Sequence, residues 1–171
     1  MTPTQAPEAS LWHEIGHVAG VLGNASFPPG DRAALRRMAS DQRPPLGFYR
    51  FAASHLPGGW DRDADAIRDW VTIVAGIAVM SPDAHQPSRG LGAALAEAGY
   101  AESRLERLLG SEDDVRRTLL LRAARFLAAK SLRGNWVDGA QLLLARDPEA
   151  REAIHRRVAR DFYGALQRSG R

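Results

Sequence analysis

Two kinds of side chain in this sequence stand at spacings that could do chemistry. The segment His13-Glu14-Ile15-Gly16-His17 matches H-E-x-x-H, which places two imidazoles one helical turn apart beside a glutamate. In zinc peptidases the two histidines hold the metal and the glutamate acts on its bound water. Arginines also recur in pairs at helical spacing, and guanidiniums without acidic partners bind phosphate well. The first pattern predicts a hydrolase and the second an anion-binding surface.

A catalytic zinc needs a third protein ligand, and the sequence supplies none at a recognised spacing. The extended peptidase pattern ends in histidine, where this chain has Gly23, and no glutamate occurs between Glu14 and Glu97. Three other side chains are candidate third ligands without supporting context: His55, His85 and Asp31. A zinc peptidase with His13 and His17 as ligands is therefore the alternative hypothesis, and an ordinary polar helix face is the simpler explanation.

The arginine pattern is clearest in Gly30-Asp31-Arg32-Ala33-Ala34-Leu35-Arg36-Arg37, which follows two prolines. Asp31 is a good N-cap residue and predicts a helix that begins there. Arg32 and Arg36 then share one face, while Leu35 points to a core. The face is either a phosphate clamp or a solvated surface, and the segment alone does not decide between them.

Composition narrows the function classes. Residues 101–171 hold 15 of the 23 basic residues and 10 of the 20 acidic ones, a net charge of +5, whereas residues 1–100 have a net charge of −2. An anionic partner is therefore expected on the C-terminal half. Lys130 is the single lysine, a bias that a GC-rich genome would also give. The chain has no cysteine, no signal-peptide pattern over residues 1–10 and no apolar run that spans a bilayer, so we expect a cytoplasmic protein without membrane contact.

Apolar residues recur with a period near 3.6 along the whole chain, and no stretch alternates with period 2. A polar lead over residues 1–8 precedes the first predicted helix. The predicted helices cover residues 9–23, 31–40, 46–56, 63–80, 91–98, 102–109, 111–132, 137–145 and 148–167. The fold class is all-α, either one helical bundle over residues 1–171 or two packed lobes over residues 9–100 and 101–168.

Side-chain patterns add detail to these helices. Ser111 is expected to cap the long helix, and Asp147 with Pro148 to begin the last one. In the long helix Arg117 and Arg125 are expected to face outward, and the residues expected to face inward are Val115, Leu119, Ala123 and Phe126. Four acids near one helix start are expected to be solvated: Asp61, Asp63, Asp65 and Asp69.

Taken together, several segments resemble the CasB family, the small subunit of the type I-E CRISPR surveillance complex Cascade. Residues 30–37 resemble its early G-[DP]-R-A-x-L-R-R signature, and Val158 stands where the closing motif commonly has tryptophan. The other matching segments, in family order, are Phe48-Tyr49-Arg50-Phe51, Leu91-Gly92-Ala93-Ala94-Leu95, Ser103-Arg104-Leu105-Glu106-Arg107-Leu108-Leu109, Val137-Asp138 with Gln141-Leu142-Leu143, and Ala159-Arg160-Asp161-Phe162-Tyr163. The histidine motif lies outside them.

The resemblance implies an all-helical, non-catalytic protein without a cofactor. It implies a homodimer within the complex, contacts with other Cascade subunits, and a basic surface that holds guide RNA and the target or displaced DNA strand of the R-loop. Non-specific strand binding needs only basic side chains that follow the phosphates, since guide pairing supplies the sequence readout.

We therefore expect the nucleic-acid contacts to be Arg32, Arg36, Arg37, Arg50, Arg104, Arg107, Arg122 and Arg125. Any of them could instead pair with a local acid such as Glu106 or Asp114. A helical adaptor whose arginines only keep it soluble is a third hypothesis.

Overall fold

The computed structural model describes residues 6–170, and its regular structure there is helical. These residues form nine helices: α1 (Ala6–Gly23), α2 (Pro29–Arg36), α3 (Leu46–His55), α4 (Ala64–Met80), α5 (Leu91–Glu97), α6 (Glu102–Gly110), α7 (Asp113–Ala129), α8 (Trp136–Leu144) and α9 (Pro148–Ser169). No β-strand occurs within that range. The predicted all-α class is confirmed. Of the predicted polar lead, residues 1–5 lie outside the described residues, and α1 begins at Ala6.

Helix α4 is the centre of the fold because it is apolar around most of its circumference. Helices α1, α2, α7 and α8 pack against it. Gly76 permits one of these approaches, since a Cβ atom there would collide with the ring of Trp136. One buried apolar cluster contains residues of all nine described helices. The division into lobes over residues 9–100 and 101–168 stays a prediction.

Helices α5 and α9 pack closely against each other. A Cβ atom on Gly92 would collide with the backbone carbonyl oxygen of Val158, so only glycine allows this approach. Behind the contact, Val158 and Phe162 are buried in the core. Helix α8 also packs against α9. Among the described helices, none combines the length and apolarity needed to cross a membrane.

A buried ion cluster joins α4 to α7. The Arg117 side chain is 2% exposed, and its Nε donates to Asp69 Oδ1 at 2.7 Å. Its Nη1 donates to Asp114 at 2.8 Å, and Arg146 reaches the other Asp69 oxygen at 2.8 Å. The predictions of an outward Arg117 and a solvated Asp69 are therefore wrong, because each charge is neutralised inside the fold by the other.

Helix α7 turns the side that carries Arg117 toward α4, and Val115 is therefore exposed. Val115 is 59% accessible, although it was expected to face the core. Two predicted helix starts are also wrong. Helix α2 begins at Pro29, whose fixed φ suits the first helical position, so Asp31 lies inside the first turn. Ser111 does not cap α7, because its hydroxyl donates to the Leu108 carbonyl at the end of α6. The predicted cap Asp147 is confirmed, and it accepts from Ala150 N at 2.9 Å.

Candidate nucleic-acid interface

Three arginines surround one concave region between α6 and α7. Arg104 and Arg107 project from α6 and Arg122 from α7, around a space of about 360 Å³ that Tyr100 and Leu119 also line. The two α6 arginines are exposed because Leu105 and Leu108, on the other face of the same helix, are buried. All three guanidiniums are thus held on packed helices and face solvent.

Arg125 lies three residues after Arg122, on the exposed side of α7. We call Arg104, Arg107, Arg122 and Arg125 the α6–α7 arginine surface. Among residues 10–170, no carboxylate lies within 4.0 Å of any of these four guanidiniums. One acid of α6 is occupied elsewhere, since Glu102 accepts a hydrogen bond from the Tyr163 hydroxyl. Within residues 10–170, none of these four guanidiniums is therefore neutralised by a direct ion pair.

The pKa of Tyr100, which lines the concavity, is affected by the nearby arginines. Burial raises the pKa of its hydroxyl, and the neighbouring Arg104 and Arg122 guanidiniums lower it by a smaller amount. The Tyr100 ring packs edge-on against Phe126 at 5.2 Å between centroids, and Lys130 lies over the other ring of this pair. An apolar floor with cationic walls suits an anion that is only partly withdrawn from water.

The two leading arginines of α2 are bound to the ends of other helices. Arg32 donates to the carbonyls of Leu22 at 2.9 Å and Asn24 at 2.8 Å, at the end of α1. Arg36 donates to Ala78 O at 2.8 Å and Ser81 O at 3.4 Å, at the end of α4. Both cations sit where the helix dipole is negative and carbonyls lack helical partners.

The remaining two candidates lie apart from each other. Arg50 pairs with Asp31 at 3.5 Å. Arg37 is exposed and, together with Arg43, lines a concavity of about 190 Å³ at the end of α2. Arg43 is not among the contacts expected from the sequence, because it lies beyond α2 and outside the helical spacing of its arginines. The structure therefore brings together Arg104, Arg107 and Arg122, and gives the α2 arginines separate surroundings.

The histidine motif lies on α1 without a complete metal site. His17 Nε2 is 3.2 Å from His55 Nδ1, and His13 and His17 are both exposed. No group of three or more His, Asp or Glu side chains in the described part of the chain could hold a metal ion. Of the candidate third ligands, His85 accepts from the Trp136 backbone N–H at 3.0 Å. The zinc peptidase hypothesis thus finds no third ligand among the described residues.

Comparison with known proteins points to one family. The sequence model of the family "CRISPR-associated protein Cse2" matches residues 31–163. A chain in the crystal structure of E. coli Cascade bound to a PAM-containing dsDNA target has a similar fold, with a TM-score of 0.63 and 19% sequence identity. The similarity covers 96% of this chain and 99% of that one. No curated protein matches the sequence.

Proposed function

This chain belongs to the Cse2 family of CRISPR-associated proteins, also called CasB, and from that premise we propose that it is a non-catalytic structural subunit of an RNA-guided DNA surveillance complex. In this proposal the α6–α7 arginine surface holds a nucleic-acid strand of the R-loop. The observation that carries it is the grouping of Arg104, Arg107 and Arg122 around one concavity, without a carboxylate partner among residues 10–170.

The chemistry of these three residues suits a phosphodiester backbone. Each guanidinium offers a planar fork of donors to two phosphate oxygens. Contacts with phosphate release condensed counterions, which supplies affinity without reading the base sequence. A subunit that only stabilises an R-loop needs no more than this, because guide pairing selects the target.

The arginines of the α2 region are proposed as additional phosphate contacts. Arg37, with Arg43 beside it, is a second candidate contact. Arg32 and Arg36 each use two of their five N–H donors on backbone carbonyls, so three donors of each are left for a phosphate. Arg50 forms an ion pair with Asp31, which partly neutralises its charge. Arg125 lies about one turn of α7 beyond Arg122 and extends the α6–α7 arginine surface.

The proposed partners follow from the family and from the similar chain in E. coli Cascade. They are other subunits of such a complex, the guide RNA, and the target or displaced DNA strand. Two copies of the chain would lie together in the complex, in the cytoplasm. No cofactor is part of the proposal.

A triple substitution tests the proposal directly. Arg104→Ala/Arg107→Ala/Arg122→Ala should weaken single-stranded DNA binding and reduce the slope of log K against log salt by about 2, because three phosphate contacts contribute about 0.7 each. Anisotropy titrations of the isolated chain between low and moderate salt measure that slope. In the assembled complex, the same variant should lower the yield of R-loop, followed by permanganate reactivity of the displaced strand.

The matched control removes three arginines that are already paired. Arg62, Arg68 and Arg133 lie 3.3, 3.9 and 3.6 Å from Asp63, Asp65 and Asp83. Their triple alanine variant loses the same formal charge and should retain most of the binding. Equal salt slopes and equal R-loop yields for both triple variants would contradict the proposed surface and favour a helical adaptor.

A further inference from the structure

Two histidines from helices far apart in sequence meet on the exposed side of the N-terminal half. His17 on α1 and His55 at the end of α3 have ring nitrogens 3.2 Å apart and ring centroids 5.3 Å apart. His55 packs on Phe51, with 4.9 Å between the centroids, so its ring is positioned from below. The nitrogens that face each other are His17 Nε2 and His55 Nδ1.

This separation suits two ligands of one transition-metal ion. A zinc ion lies about 2.0–2.1 Å from an imidazole nitrogen. Two nitrogens 3.2 Å apart and each about 2.05 Å from the ion would subtend an angle of about 103° at the metal, near the tetrahedral angle of about 109°. The ion would sit to one side of the line between the nitrogens, so each ring must tilt by about 40°. His17 is exposed and His55 half-buried, which leaves room for this tilt.

A neutral imidazole is the form that binds a metal, through the lone pair of one ring nitrogen. In the structure the two rings share one hydrogen bond, which an ion would replace with two coordination bonds.

We propose that His17 and His55 form a binding site for a late first-row divalent cation, of which zinc is the simplest probe. Imidazole nitrogen is a preferred ligand for such cations, whereas magnesium and calcium prefer oxygen. Water fills the remaining positions. The site is neither a peptidase site nor part of the arginine surface.

Such an ion would join α1 to α3. Helix α1 precedes the segment that matches the family model, whereas His55 lies within it. Because the unfolded chain does not hold the two imidazoles together, the bound ion would stabilise the folded state. This consequence gives the proposal a readout that does not depend on nucleic-acid binding.

The test uses the full chain after treatment with a chelator. Zinc at about ten times its dissociation constant should raise the thermal midpoint by about 3–5 °C, and magnesium should leave it unchanged. Imidazole ¹H–¹⁵N NMR spectra of the unmodified protein should show zinc-induced shifts for His17 and His55. The spectra of His85 and His155 serve as internal controls and should not change.

Substitutions then assign the ligands. His17→Ala and His55→Ala should each weaken zinc binding at least about tenfold in calorimetric titrations, and His13→Ala should leave it unchanged. Glu14→Gln should bind zinc like the original protein, since the glutamate is not a ligand in this site. Absence of zinc-induced shifts at His17 and His55, or zinc binding that survives the double His17→Ala/His55→Ala change, would overturn the proposal. The NMR result decides the matter even where a substitution impairs folding.

Discussion

Arginine side chains have different surroundings in this fold, and the surroundings decide what each guanidinium can bind. Arg117 is buried among carboxylates, Arg32 and Arg36 donate to carbonyls at helix ends, and the α6–α7 arginine surface faces solvent. A guanidinium already held by acids gains little from a phosphate, because the new contact must replace an existing one. Residue type alone therefore does not identify a nucleic-acid contact.

At this scale we predict that Arg36 contributes to folding stability. Arg36→Ala removes the donors to Ala78 O and Ser81 O at the C-terminal end of α4. The unfolding free energy should fall by about 1–2 kcal/mol, the usual range for a charged hydrogen bond at a helix terminus. Urea unfolding followed by circular dichroism measures the change.

Arg37 is the matched control for this prediction, since it follows directly in the chain and is exposed. Arg37→Ala should change the unfolding free energy by less than about 0.5 kcal/mol. Equal stabilities of the two variants would show that the Arg36 contacts with α4 contribute nothing in solution.

At the scale of helices, one side of α7 packs in the core and the other side carries exposed arginines. One side buries Arg117 against Asp69 of α4, and the other carries Arg122 and Arg125 outward. The buried ion cluster therefore fixes the rotation of α7 about its axis. That rotation places Arg122 beside the α6 arginines.

We predict that Arg117→Leu lowers the unfolding free energy by about 3–5 kcal/mol, because Asp69 then keeps a buried charge with one partner fewer. Arg125→Leu, on the exposed side of the same helix, should cost less than about 0.5 kcal/mol. Chemical denaturation of both variants measures the difference.

The double change Asp69→Leu/Arg117→Leu should recover part of the loss, since it removes both buried charges at once. The single variants Asp69→Leu and Arg117→Leu are the reference for this comparison. If the double variant loses as much unfolding free energy as these two single variants added together, Asp69 and Arg117 are not coupled.

Periodicity was enough to predict the helices, but not which way α7 faces. The period of apolar residues depends on local spacing, and all nine described helices were expected within a few residues of their observed bounds. The rotation of α7 depends on Asp69, which is 48 positions from Arg117. A pattern that counts every arginine as an outward residue cannot include that pair.

At the scale of the whole molecule, α1 belongs to the core although it lies outside the segment that the family model matches. Ile15, Val18 and Leu22 are completely buried and join the same apolar cluster as α4 and α8. The two histidines of the motif, His13 and His17, are exposed. Helix α1 thus contributes Ile15 to the core and leaves the imidazoles on either side of it in solvent.

We predict that Leu22→Ala lowers the unfolding free energy by about 2–5 kcal/mol, the range for truncating a buried leucine. Leu46→Ala is the control, since Leu46 is 81% exposed and should cost little. Thermal and urea unfolding of both variants provide the measurement. Similar midpoints for the two would mean that α1 packs loosely on the rest of the fold.

The candidate site was only partly within reach of the sequence. Arg104 and Arg107 were recognisable because they share one helix face at a spacing of three residues. Their neighbour Arg122 joins them only through the packing of α6 on α7. Arg32 and Arg36 lie one turn apart on α2, but carbonyls at the ends of α1 and α4 accept two of the five N–H donors of each.

The close approach of α5 and α9 has a consequence for recognising distant members of this fold by sequence. In a related sequence, the arginines of a solvated face can stand at other positions of the same helix face and still present positive charge to a nucleic-acid strand. Position 92 must be glycine, because any side chain there would collide with the Val158 carbonyl oxygen. At position 76 the ring of Trp136 occupies the space that a side chain would need. A search pattern that required glycine at these two places, at their distance along the chain, would select for the architecture itself.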